Sequence, residues 1–76
     1  MSDRDFNKDG QTYFELKEYE KAIECFGKAI GINPEDEVAW FNSGFAYFKL
    51  KDYTNSTNSF QRITLIADDE SLSSMI

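Results

Sequence analysis

The chain has 76 residues, a formal net charge of −6, one cysteine and no histidine. This length allows one domain at most, and a single thiol excludes a disulfide and argues against a zinc site, which would need one thiolate plus carboxylates. No Lys/Arg cluster stands out, so nucleic acid and anionic membrane surfaces are disfavoured as partners.

A core of this size supplies only about 3–5 kcal/mol, so good helix packing or association with another chain must make up the rest. Four Tyr, seven Phe and one Trp suggest that aromatic packing carries much of that load. No apolar stretch approaches the roughly 20 residues of a membrane span. Met1-Ser2-Asp3-Arg4-Asp5 has no apolar run of the secretory kind. A lone thiol also suits a reducing compartment, so a cytoplasmic location is expected. Asn55-Ser56-Thr57 fits the glycosylation sequon, but with no export signal it reads as chance.

In chain order, Phe6, Gly10 and Tyr13 fall on one stripe at the helical period, with Asp3 and Asp5 expected in the first turn. A break is expected at Lys17-Glu18. Tyr19, Ala22, Ile23, Phe26, Ala29 and Ile30 then form a more regular amphipathic stripe. That helix should end by Asn33, because the residue before Pro34 is pushed out of the helical region. Asp36 can cap a third helix from Glu37 to about Leu50, in which Trp40, Gly44 and Tyr47 repeat the first stripe. Asp52 can cap a fourth from Tyr53 to about Ile66, with Phe60 and Ile63 inward. Asp68-Asp69-Glu70 would open a last short helix through Leu72, Met75 and Ile76. Short connections make successive helices antiparallel.

Tyr13-Phe14-x-Leu16-Lys17-x-Tyr19 recurs as Tyr47-Phe48-x-Leu50-Lys51-x-Tyr53. Gly10 falls on Gly44, Phe26 on Phe60, Ile32 on Ile66 and Phe6 on Trp40. A fixed offset of about 34 residues is that of a helix–turn–helix repeat. Gly costs about 1 kcal/mol relative to Ala in a helix interior, so two glycines at equivalent places imply a steric need. They should admit Tyr19, Phe26, Tyr53 and Phe60 of the following helices.

Gly10, Tyr13, Tyr19, Ala22, Phe26, Ala29 and Pro34, followed by Trp40, Gly44, Tyr47, Tyr53 and Phe60, resemble the signature positions of the tetratricopeptide repeat. The resemblance covers roughly Asp3 to Asp68 and implies an all-α helical repeat (α-solenoid) of two helix–turn–helix units, plus a short C-terminal capping helix. Repeat one spans about residues 3–36, repeat two about 37–68, and a tail 69–76, all in a single domain. The first unit departs from the pattern only at Asp9, which stands where a leucine is usual. In the second unit Ser43 takes that leucine's place, Ser56 and Ile63 replace packing alanines, and Asp68 replaces the terminating proline. Ile23 and Ile30 have Thr57 and Thr64 as counterparts, and Thr54 to Ser59 is polar throughout. Such an edge suits a terminal unit, so the array is expected to stop here.

The resemblance also implies a concave groove lined by the first helix of each unit. Carried over, it places Asn7, Gln11 and Phe14 on the groove from the first helix, and Phe41, Asn42, Phe45 and Phe48 from the third. Val38 extends the stripe of Phe41, Phe45 and Phe48 toward the N-terminal end. A helix apolar on most of its circumference is often simply buried. Left uncovered, however, Phe14, Phe41, Phe45 and Phe48 would form an aromatic interaction patch. Some relatives clamp a peptide's C-terminal carboxylate with a lysine and asparagines. Asn42 matches one asparagine, but Asn7 stands in the lysine's place and Gln11 in that of another asparagine. Without the lysine the charge complement is lost, and an apolar or amphipathic partner segment fits better.

Cys25 has no histidine to act as its base and reads as a small hydrophobe. Gly27-x-x-x-Gly31 lies on a helix with Glu24 and Lys28, which excludes the membrane setting. Asp68-Asp69-Glu70 lacks the alternating spacing of a calcium loop. Glu20, Glu24 and Lys28 form an ordinary solvated face. No metal, cofactor or catalytic group is expected. Two functions follow: a non-catalytic adaptor or scaffold that binds a protein or peptide through an aromatic groove, or a small structural protein that homodimerises through the same surface. Two repeats fall short of the roughly three that solenoids need, which favours the dimer.

Overall fold

The computed structural model describes the backbone of residues 5–75 and the side chains of residues 5–67. Four helices follow one another: α1 Phe6–Glu15, α2 Tyr19–Ile32, α3 Glu37–Lys49 and α4 Tyr53–Met75. Each packs on its sequence neighbour, and α1 also touches α3. Two helical hairpins are therefore stacked into one array.

Three of the four helices start where a carboxylate satisfies an orphan amide, whereas Glu18 at the start of α2 makes no such side-chain bond. Asp5 accepts from the Lys8 amide at 3.2 Å, Asp36 from the Ala39 amide at 3.1 Å and Asp52 from the Asn55 amide at 3.3 Å. Asp5 is thus the cap of α1, not a residue of its first turn; Asp3 lies outside the described residues.

The two hairpin turns are the same structure. Lys17 and Lys51 both adopt the left-handed conformation, at φ 65° and 64°. The Glu18 amide donates to the Tyr13 carbonyl and the Lys17 amide to the Phe14 carbonyl, each at 2.9 Å. Asp52 and Lys51 repeat both bonds to Tyr47 and Phe48 at 2.9 Å. This is the Schellman closure, made without the glycine that usually serves it.

The core is thin and built from small residues around one ring. Ala22, Phe26, Ala39 and Ala46 have no exposed surface, and Cys25, Ala29 and Ile66 are nearly as deep. The two glycines make room for rings, as their repetition implied. A Cβ at Gly44 would lie 2.7 Å from Phe60 Cε1 and Cζ, and one at Gly10 would overlap the Phe26 ring. Tyr19 and Tyr53 take a different course. They turn edge-on to Phe14 and Phe48, with ring centroids 5.2 and 5.5 Å apart.

α4 differs from expectation in two ways. Its backbone runs unbroken to Met75, with no separate short helix after Asp68. Pro34 lies just beyond the end of α2, whereas no proline or glycine interrupts α4, so nothing stops it. The side chains of Leu72 and Met75, and Ile76 itself, lie outside the described residues. Nor is the polar run of α4 uniformly wet. Thr54, Asn55, Thr57 and Asn58 are exposed, but Ser56 and Ser59 are buried. The Ser56 hydroxyl donates to the Gly44 carbonyl at 2.9 Å, which removes the penalty of burying it.

Both ends of the stack are polar. Ala39, Ser43 and Ala46 are the buried face of α3, and their equivalents on α1 are Asp5, Asp9 and Thr12. Ile23 and Ile30 of α2 are half-buried, and their equivalents Thr57 and Thr64 are exposed. No helix among the described residues is long and apolar enough to cross a membrane.

Candidate interaction face

α3 lies between its neighbours with one side left open. Phe41, Phe45 and Phe48 are 48, 41 and 53% exposed, and Val38 is exposed beside them. The stripe is therefore surface, not core. Its rings are nevertheless held in place from below by Phe60 of α4. Phe41 and Phe45 meet edge-to-face at 4.8 Å, and each meets Phe60 the same way, at 5.9 and 5.8 Å. Contacts of this kind add about 0.5–1.5 kcal/mol each, so the ridge is ordered before anything docks on it. A rigid anchor has little conformational freedom to lose on binding.

Beside the ridge, between α1 and α3, is an open cleft of about 470 Å³. Gln11 and Phe14 line it from α1 and Phe41, Asn42 and Phe45 from α3, with the buried Phe26 among the lining side chains. Five of the eight residues expected on the groove thus come together. Val38 lies apart, in a shallower opening of about 240 Å³ with Glu37, Phe41 and Ile63. Phe48 lines neither and rests on Tyr53.

Asn7 has a different place. It lies with Asp5, Phe6, Ile32 and Asp36 in a separate hollow of about 150 Å³. Its Nδ2 donates to Asp36 Oδ2 at 2.8 Å, while Asp36 Oδ1 caps α3. The residue joins the two hairpins. The repeat alignment could not show this, because it matches positions between units and says nothing of a contact between the start of α1 and the cap of α3.

Two cleft residues escaped the sequence reading, Glu15 and Lys49. Helical spacing carried the signal: Glu15 follows Gln11 by one turn, and Lys49 follows Asn42 by two. They put one charge of each sign at the cleft. Asn42 Nδ2 is buried and has no hydrogen-bond partner in the protein. A buried donor left unsatisfied costs about 1–3 kcal/mol. Away from the face, Glu18 accepts a hydrogen bond from Lys21 and, with its charge, raises that exposed amine's pKa.

Among the described residues no cluster of His, Cys, Asp or Glu is arranged to hold a metal. The one cysteine, Cys25, is buried.

Residues 10–51 match the family described as TPR repeat, and residues 38–70 match that described as tetratricopeptide repeat. The chain belongs to the tetratricopeptide repeat family. The repeats of this family generally mediate protein–protein interaction. The chain is 29% identical over 58 residues to the TPR repeat-containing protein MJ1428 of Methanocaldococcus jannaschii, covering 76% of this chain and 10% of that protein. It is 39% identical over 44 residues to RNA polymerase II-associated protein 3 of Rattus norvegicus, covering 58% of this chain and 7% of that protein. The Xenopus tropicalis form of that protein is 36% identical over the same length. The chain thus spans 10% or less of the length of these relatives.

Proposed function

We propose that this chain is a non-catalytic protein-interaction module whose α3 ridge and adjoining cleft take an apolar or amphipathic segment of a protein partner. Residues 3–36 and 37–68 would serve as its two repeats in one domain. The observation that carries the reading is a contrast between equivalent positions. Where the first repeat has Asn7 and Gln11, the second has Phe41 and Phe45. The hairpin therefore does not need aromatic rings at these places to fold. Yet the second repeat puts two there, 48 and 41% exposed, and supports both from behind with Phe60.

Exposed, pre-ordered aromatic rings are the usual anchors of protein interfaces. The cleft beside them would receive a partner side chain between Phe14 and Phe45. Asn7 is engaged by Asp36 and provides no cation, which agrees with a partner that is not held by its terminal carboxylate.

Phe45→Glu tests the assignment. Loss of an interface anchor costs roughly 2 kcal/mol or more, about a thirtyfold loss of affinity. Immobilised wild type and Phe45→Glu are compared for proteins captured from a host lysate, with far-UV circular dichroism as the folding control. Capture by the wild type alone, at equal helicity, is the expected result. Identical capture by both would remove the face from consideration, and an unfolded variant would show that Phe45 is core.

A further inference from the structure

This inference rests on the reading of the α3 face as an interaction face and states the chemistry of its occupant. We propose that the occupant is an amphipathic α-helix of a partner protein, antiparallel to α3, with an acid in its first turn and a cation in its last.

The helical form follows from the shape of the face. Val38, Phe41, Phe45 and Phe48 recur at steps of three, four and three residues, along one side of a single helix. Openings flank this ridge on both sides. One is the cleft of about 470 Å³ toward α1; the other is the hollow of about 240 Å³, lined by Glu37, Val38, Phe41 and Ile63, toward α4. A ridge between two grooves is the surface onto which another helix packs, its own side chains entering the grooves at spacings of three and four. An extended segment repeats every two residues and takes main-chain hydrogen bonds from an exposed strand edge. The described residues form no strand.

The direction follows from charge along α3. Glu35 and Glu37 stand at its start, Lys49 and Lys51 at its end. Asp36 and Asp52, at the same two ends, are engaged in capping α3 and α4. Among the described residues, none of the two glutamates and two lysines has an ion-pair partner. The face is therefore negative at one end and positive at the other. A helix favours acids in its first turn and cations in its last, where they complement its dipole. Laid antiparallel to α3, such a helix brings its acidic start to Lys49 and its basic end to Glu37. Laid parallel, it meets like charge at both ends, and the two dipoles align.

Glu37 lines the hollow toward α4 and Lys49 the cleft toward α1, so the partner's cation and acid fall on opposite flanks of its apolar stripe. Glu15 also lines the cleft, but from α1, a helix spacing of about 8–10 Å away. The charges on α3 itself set the direction. Phe41, Phe45 and Phe48 have about half their surface left to bury, so the complex is weak, and each exposed ion pair changes its affinity by up to about fivefold.

Three labelled peptides of about 18 residues, five helical turns, test this by fluorescence anisotropy against the full chain. The first has leucines at spacings of three and four, a first-turn glutamate on one flank and a last-turn lysine on the other. The second exchanges the two charges. The third is the first with a central proline, which breaks the helix. The first should bind, the second about threefold to tenfold more weakly, and the third should not saturate. Phe45→Glu should lose the first peptide.

The ratio of first to second should fall part-way with Lys49→Glu alone and invert with Glu37→Lys added, at unchanged helicity of the protein. That inversion separates direction from any difference in helicity between the peptides. A ratio unmoved by these charges would overturn the antiparallel placement, and equal binding of the proline peptide would overturn the helix. Failure of all three peptides would overturn the helical occupant and leave the interaction-face reading standing on the capture experiment, which is scored separately. Sedimentation of the chain alone is expected to give 8.8 kDa. A rise in mass that Phe41→Glu abolishes would name a second copy as the occupant and overturn the partner helix.

Discussion

The guanidinium of Arg62 lies over the Trp40 indole, 5.6 Å from the ring centroid. One repeat earlier, the Lys28 amine stands 5.5 Å from the Phe6 ring centroid. A cation of the second helix therefore covers an aromatic ring near the start of the first, in both hairpins. Trp40 does one thing more: its Nε1–H donates to the Pro34 carbonyl at 2.7 Å, tying α3 to the connection between repeats. Trp40→Phe removes that bond and weakens the cation contact, at about 0.5–1.5 and 0.5–1 kcal/mol respectively. A fall in stability of about 1–2 kcal/mol by urea titration is expected; no change would mean that neither contact matters.

The four glycines divide into two pairs with opposite expected signs. A Cβ at Gly27 or Gly31 meets nothing within 4 Å, so Ala there should gain up to about 1 kcal/mol of helix propensity. For a domain of this size that raises Tm by roughly 4–8 °C. At Gly10 the same gain is outweighed by overlap with Phe26, which is fully buried and has nowhere to go. Overpacking costs about 1–3 kcal/mol, so Gly10→Ala should destabilise. Gly44→Ala should be milder, because Phe60 is only half-buried and can shift. Melting curves of the four single variants check the order.

Lys17 and Lys51 each hold the left-handed conformation that costs a side chain about 1–2 kcal/mol. Glycine avoids that strain but adds freedom to the unfolded chain, so a net gain of roughly 0.5–1 kcal/mol is expected for each variant. The sites lie in different hairpins, and the double variant should be near-additive. Denaturation midpoints measure it.

Asn7→Ala separates a structural role from a binding one. Losing a hydrogen bond to a charged group costs about 1.5–3 kcal/mol, offset in part by removal of the buried, unpartnered Asn7 Oδ1. Stability should fall by about 1–2 kcal/mol while capture by the α3 face is unchanged. Capture lost in step with Phe45→Glu, at undiminished stability, would return Asn7 to the groove.

Much of this protein is written locally. The offset between Tyr13 and Tyr47, the caps Asp36 and Asp52, and the niches at Gly10 and Gly44 depend on contacts within one hairpin. Helical period and residue size encode such contacts directly. What lies between hairpins is not encoded that way. Periodicity could say that Phe41 and Phe45 share a stripe, but not whether another helix covers it. The family resemblance put Asn7 on the same groove, whereas its amide turns to Asp36, the cap of α3. The polar run read Ser56 and Ser59 as wet, although a hydroxyl can be buried once a carbonyl such as that of Gly44 accepts from it. Which faces meet is decided by neighbours remote in the chain, so those facts belong to the tertiary structure alone.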